Sequence, residues 1–156
     1  MKKIIFILLL STGFWGCSQQ ENSSKKEVAP AMESEHHEYA DNPTGLQLNN
    51  GIKWMADSST HNNVLLLQAT LENFKSSSDR NLETYHALAV ELQRGLSKMV
   101  NECKMKGADH DALHLWLEPL MGQVRDLKKS PAMAIAARLT ETIQQQLNDY
   151  HQYFQA

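Results

Sequence analysis

The sequence predicts an all-α fold, an antiparallel up-down four-helix bundle over residues 46–156. Three observations predict it. From Leu46 onward, apolar residues recur at alternating spacings of three and four, the period of one helix face. The segments that carry this pattern are joined by short polar runs containing capping residues, which makes neighbouring helices antiparallel. No strand-like alternation or glycine-rich turn competes with them.

Each element has its own signal. The first helix is expected to start near Ser59 or Thr60 and carries Val64, Leu67, Leu71 and Phe74. The second is the clearest: Leu82, Tyr85, Ala89, Leu92, Leu96, Met99 and Cys103 fall on one face, with Ser78 and Asp79 as N-cap candidates. The third carries His110, Leu113, Leu117, Leu120, Val124 and Leu127, with Asp109 as its expected cap. Within it, Pro119 removes the hydrogen bond to the Leu115 carbonyl, and a kink or break is expected there. The fourth starts at Ser130-Pro131, read as a cap followed by proline at the first helical position. It runs through Ile135, Leu139, Ile143, Leu147, Tyr150 and Phe154.

Ahead of this domain the chain reads as an export leader and a tether. Lys2 and Lys3 precede the apolar run Ile4 to Leu10, which is too short to span about 30 Å of hydrocarbon as a helix. The run ends in Phe14-Trp15-Gly16-Cys17, a small residue followed by cysteine, and this resembles the lipobox of bacterial lipoprotein precursors. Phe14 and Trp15 are bulkier than the residues usual in that box. The resemblance implies residues 1–16 as signal peptide and Cys17 as the acylated first residue of the mature chain, with palmitate-type acyl chains anchoring it to a membrane. Ser18 in place of Asp favours the outer membrane; which face the protein occupies is not encoded here. Residues 17–45 are polar, with almost no apolar periodicity, and read as a lipid-anchored tether. His36-His37 beside Glu33, Glu35 and Glu38 reads as part of a solvated linker rather than a metal tract.

Charge and motifs narrow the function classes. The formal charge of −3 becomes −5 when Lys2 and Lys3 leave with the leader, which argues against a nucleic-acid partner. His110-Asp111-Ala112-Leu113-His114 has the spacing of H-E-x-x-H, but Asp stands where that motif needs Glu to activate water. There is no C-x-x-C-H, phosphate-binding glycine loop or nucleophile elbow, so the chain reads as a binding protein and not an enzyme.

The topology concentrates chemistry at one end. An up-down bundle brings together the segment before the first helix, the turn after the second and the C-terminus. Trp54, Met55, His61, Cys103, Met105, His110, His114, Tyr150, His151 and Tyr153 all gather there. Cys103, Met105, His110 and His114 are thiol, thioether and two imidazoles, with the histidines four apart on one helix face. That donor set suits Cu(I), or zinc without the methionine. The opposing reading is structural, with Cys103 a small buried hydrophobe and the histidines hydrogen-bonded near a helix start. Trp54 is expected to fold back onto this end, helped by a turn at Gly51.

The strings LQLNNGIKW (residues 46–54) and CKMKGADHDALHLWL (residues 103–117) resemble segments of small helical lipoproteins of the bacterial envelope. That resemblance implies an envelope lipoprotein without an established activity, and it carries over no site residue. The expectation is therefore an anchored helical binding module, with a soft-metal site at one bundle end. Its alternative is a purely structural or protein-interaction lipoprotein that contacts another envelope protein.

Overall fold

The structure, a computed structural model, describes residues 45–156; the leader, Cys17, the tether and His36-His37 lie outside the described residues. Four helices follow one another: α1 (Ser58–Ser76), α2 (Leu82–Glu102), α3 (Ala108–Lys129) and α4 (Met133–Tyr153). Each packs against its neighbour in sequence, and α4 closes the ring against α1 while touching α2 across the diagonal. Two short strands, β1 (Trp54–Met55) and β2 (Phe154–Gln155), flank the helices. Among the described residues no helix is long and apolar enough to cross a membrane.

The apolar stripes close on one core. Val64, Leu67 and Leu71 of α1 meet Leu92, Leu96 and Met99 of α2 and Leu113, Leu117, Leu120 and Leu127 of α3, all nearly inaccessible to water. Gly95 lets α1 and α2 approach closely, because a Cβ there would lie 2.7 Å from Leu67 Cδ2. Two parts of the pattern shift. In α3 the buried face also takes Ala112 and Trp116, because this helix packs against both α2 and α4. In the first half of α4 the buried residues are Ala136 and Thr140, while Ile135 and Leu139 flank them half-buried. Thr140 tolerates this position because its hydroxyl donates to the Ala136 carbonyl at 2.9 Å.

The helix starts correct several sequence expectations. The start of α1 at Ser58 agrees with the expectation near Ser59 or Thr60, and its cap is Asp57, whose carboxylate accepts from the Thr60 N–H at 2.6 Å. Neither Ser78 nor Asp79 caps α2. Asn81 does, in a reciprocal capping box: Asn81 Oδ1 accepts from the Thr84 N–H and Thr84 Oγ1 accepts from the Asn81 N–H. Asp109 is not the cap of α3, which begins after Gly107 in a left-handed conformation (φ 64°) that favours glycine. Ser130 closes α3 instead of opening α4. Its hydroxyl donates to the Leu127 carbonyl at 2.8 Å, and the Ser130 carbonyl accepts from His86 Nε2–H at 2.9 Å. Ala132 precedes α4 without a side-chain cap. Pro119 does not break α3, which runs through it. Leu115, whose carbonyl loses its helical donor, is on the exposed side of the helix, where water can satisfy it.

Candidate functional site

The end of the bundle is braced by a segment in which helical periodicity is absent. Asn49 and Ile52 exchange backbone hydrogen bonds at 2.8 and 3.0 Å, with Asn50 (φ 52°) and Gly51 (φ 84°) both left-handed between them. Two positive-φ residues between paired residues make a primed hairpin turn, for which Asn-Gly is the favoured pair. Trp54 Nε1 donates to the Gln47 carbonyl at 2.7 Å and holds the hairpin against its own stem. Beyond it, β1 pairs in parallel with β2, Trp54 opposite Phe154, and the Ala56 N–H donates to the Gln155 carbonyl at 2.7 Å. Lys53 Nζ reaches the His151 carbonyl at 2.6 Å, and the Met55 N–H donates to Asp109 Oδ1 at 2.9 Å. Trp54 therefore docks on the C-terminus, as expected. The parallel strand pair itself leaves no signal in two-residue strands.

Asp57 joins the start of α1 to the turn after α2, a role the sequence reading missed. One carboxylate oxygen caps α1 and lies 2.9 Å from Ser59 Oγ; the other accepts from the Lys104 N–H at 2.5 Å, in the turn after α2. Burial alone would raise this carboxyl. The Thr60 and Lys104 N–H groups outweigh it and hold the pKa at about 2. The only sequence signal was an Asp placed three residues before Thr60 at a helix start. Beside it, buried Asn63 donates to Glu102 Oε2 at 2.8 Å and accepts from Lys98 Nζ at 3.0 Å. Hydrogen bonds from Lys98 and then Asn63 hold the Glu102 carboxyl below its ordinary range.

Three buried polar atoms near this end have no hydrogen-bond partner among the described residues: Thr60 Oγ1, His61 Nδ1 and Tyr150 Oη. The Thr60 hydroxyl lies by the Asp57 carboxylate but off hydrogen-bond geometry to it. The Tyr150 ring stacks on Phe154 (centroids 5.0 Å apart) and meets Trp116 edge-on at 5.2 Å. Burial, and then the Asp57 charge, push its phenol well above the ordinary range. An unpaired buried hydroxyl costs stability, whereas the ring alone does not. Tyr150→Phe is therefore expected to be neutral or stabilising by up to about 1 kcal/mol in urea denaturation. A clear loss would reveal a partner for the hydroxyl.

The four expected metal ligands are placed unequally. His110 and His114 are neighbours on α3, their rings edge to face with centroids 4.6 Å apart. His114 is half-exposed, its Nδ1 3.4 Å from Glu118 Oε1. Cys103 is the C-cap of α2, is free, and like Met105 is partly buried against the core. Among the described residues no three His, Cys, Asp or Glu side chains converge closely enough to hold a metal ion. The structure thus brings the two imidazoles together without joining the thiol to them. The same end carries an open groove of about 400 Å³ between the hairpin and the first turns of α3, lined by Leu46, Leu48, Trp54, Ala112 and Leu115, with polar Gln47, Asn49, Asn50 and Asp111 along its sides.

Comparison with protein-family models, with curated proteins and with solved structures returns no match. The lipoprotein resemblance accordingly stands on the leader and the two sequence segments that carry it.

Proposed function

We propose that this chain is an envelope lipoprotein, lipid-anchored through Cys17, whose helical domain acts by binding at the braced end of the bundle. The observation that carries this reading is the construction of that end. Segments from three distant parts of the chain are tied together by Asp57, β1 and β2 around an open, largely apolar groove. Rigid surroundings with a concave apolar floor suit recognition, since little ordering remains to be done on binding. Its lining suits an apolar occupant.

The juxtaposed imidazoles favour a second reading, a Cu(I) or zinc site completed by Cys103 and Met105. It asks two partly buried sulfur side chains to leave their packing and join His110 and His114. Titration of the mature protein with Cu(I) and with Zn(II) separates the readings. With only two donors in place, coincident melting curves with and without stoichiometric metal are expected. A one-to-one complex that raises the melting temperature and is lost in His114→Ala would make metal the ligand. Loss in Cys103→Ala as well would place the thiol in the site.

A further inference from the structure

The hairpin before β1 presents apolar side chains to solvent on a rigid mount. Ile52 is 64% exposed, Met55 51%, Leu115 45% and Leu48 40%, all at the braced end. Nothing local compels this exposure, because the turn chemistry resides in Asn50 and Gly51 and leaves the flanking side chains free to be polar. Half-buried Trp54 lines the groove with Leu48 and Leu115, its indole N–H already satisfied, and exposed Lys104 and Lys106 belong to the same end. Aliphatic side chains with an indole and lysines compose the kind of surface that settles at a membrane–water interface.

The route of the chain points the same way. Gly45, where the described domain begins, leads out at this end and stands 28 positions after Cys17, a span of at most about 100 Å. We infer that the Leu48–Ile52 hairpin, with Met55 and Leu115, is a membrane-docking tip that seats the domain on the lipid surface to which it is tethered. The inference rests on the lipid-anchor reading. A tethered domain docks at high local concentration, so a weak intrinsic affinity suffices as the second of two membrane signals. Asp57, Glu102 and Asp109 at this end are engaged, by N–H groups, by Lys98 and by the Met55 N–H, and exposed Asp111 offsets one of the lysines in charge. The contact is therefore chiefly apolar and only mildly sensitive to salt.

The test uses the mature chain carrying Cys17→Ser, which has no acyl chains, with vesicles of phosphatidylethanolamine and a minority of phosphatidylglycerol. Co-sedimentation should show partitioning that falls about tenfold in Leu48→Asp/Ile52→Asp, since burying a carboxylate among lipid is strongly disfavoured. Both sites are exposed, so the melting temperature should not move. Vesicles should shift the Trp54 emission to the blue, while enclosed Trp116 stays unchanged. Leu66→Asp and Val90→Asp, exposed on the sides of the bundle, should partition like the parent. A parent chain that stays in the supernatant at every lipid concentration overturns the inference. So does equal loss in the side variants, or a self-association abolished by Ile52→Asp, which would make the tip a contact between copies. Lipidation is read separately, by palmitate incorporation into the wild-type precursor and not into Cys17→Ser. The anchor and the tip can therefore fail independently.

Discussion

Trp116→Ala should cost about 3–5 kcal/mol, the largest loss expected from any single truncation in this domain. The indole is 1% exposed and is enclosed by Tyr150 and Phe154, whose rings meet it edge-on at 5.2 and 6.5 Å. It also ties α3 to α4: Trp116 Nε1 donates to the Gln146 carbonyl at 2.8 Å, and Gln146 Nε2 donates back to the Trp116 carbonyl at 2.9 Å. Alanine leaves a void that a braced bundle end cannot collapse into, and it removes the donor to Gln146. Trp116→Phe should recover most of the packing and lose the hydrogen bond. Urea denaturation followed by far-ultraviolet circular dichroism measures both. A cost for alanine below about 1 kcal/mol, typical of a surface change, would mean that the indole is not enclosed.

That residue also shows where sequence reading reaches its limit. The spacing of three and four picked out His110, Leu113, Leu117, Leu120, Val124 and Leu127; the five aliphatic residues are buried and His110 is half-buried. Trp116 falls outside a two-residue stripe because α3 contacts two helices, and the width of a buried face depends on how many neighbours it meets. In α4 the same effect moves burial from Ile135 and Leu139 to Ala136 and Thr140. Helix ends were read less well, for another reason. Ser78, Asp79, Asp109 and Ser130 are all competent caps, and tertiary demands chose among them. Asp109 is drawn to the Met55 N–H and Ser130 to the end of α3. The gathering of remote residues at one bundle end was legible because connectivity alone dictates it. The turn at Gly51 was legible, whereas the paired hairpin that Asn50-Gly51 announces was not read beside the stronger helical pattern. The parallel pairing of Trp54 with Phe154 was not legible, because two residues are too few to show a period.

Asp57→Ala is expected to destabilise the domain by about 2–3 kcal/mol at neutral pH, the sum of a lost N-cap and an unpaired Lys104 N–H. Local helix propensity does not account for such a cost, since alanine is the better helix former. What is lost is the bond between the start of α1 and the turn after α2. The pH dependence provides the sharper test. The Asp57 carboxyl titrates at about 2 in the folded protein, against 3.8 for the ordinary group. Because the folded value is the lower one, the carboxylate's contribution is fully present above about pH 4 and is lost as the pH falls toward about 2. Because Asp57 is only partly buried, solvent screening reduces what this shift is worth to on the order of 1 kcal/mol. Glu102, also held below its ordinary range, loses its contribution in the same direction, so the wild type alone does not isolate Asp57. Asp57→Asn does. It keeps an oxygen to cap Thr60, carries no charge to titrate, and points an N–H group at the Lys104 N–H in place of an acceptor. Urea midpoints for wild type and Asp57→Asn should differ most near neutrality and converge through the acid window. Curves that remain parallel from pH 7 down to about pH 2.5 would show that the carboxylate is no better stabilised in the folded chain than in the unfolded one, and that Asp57 is an ordinary helix cap.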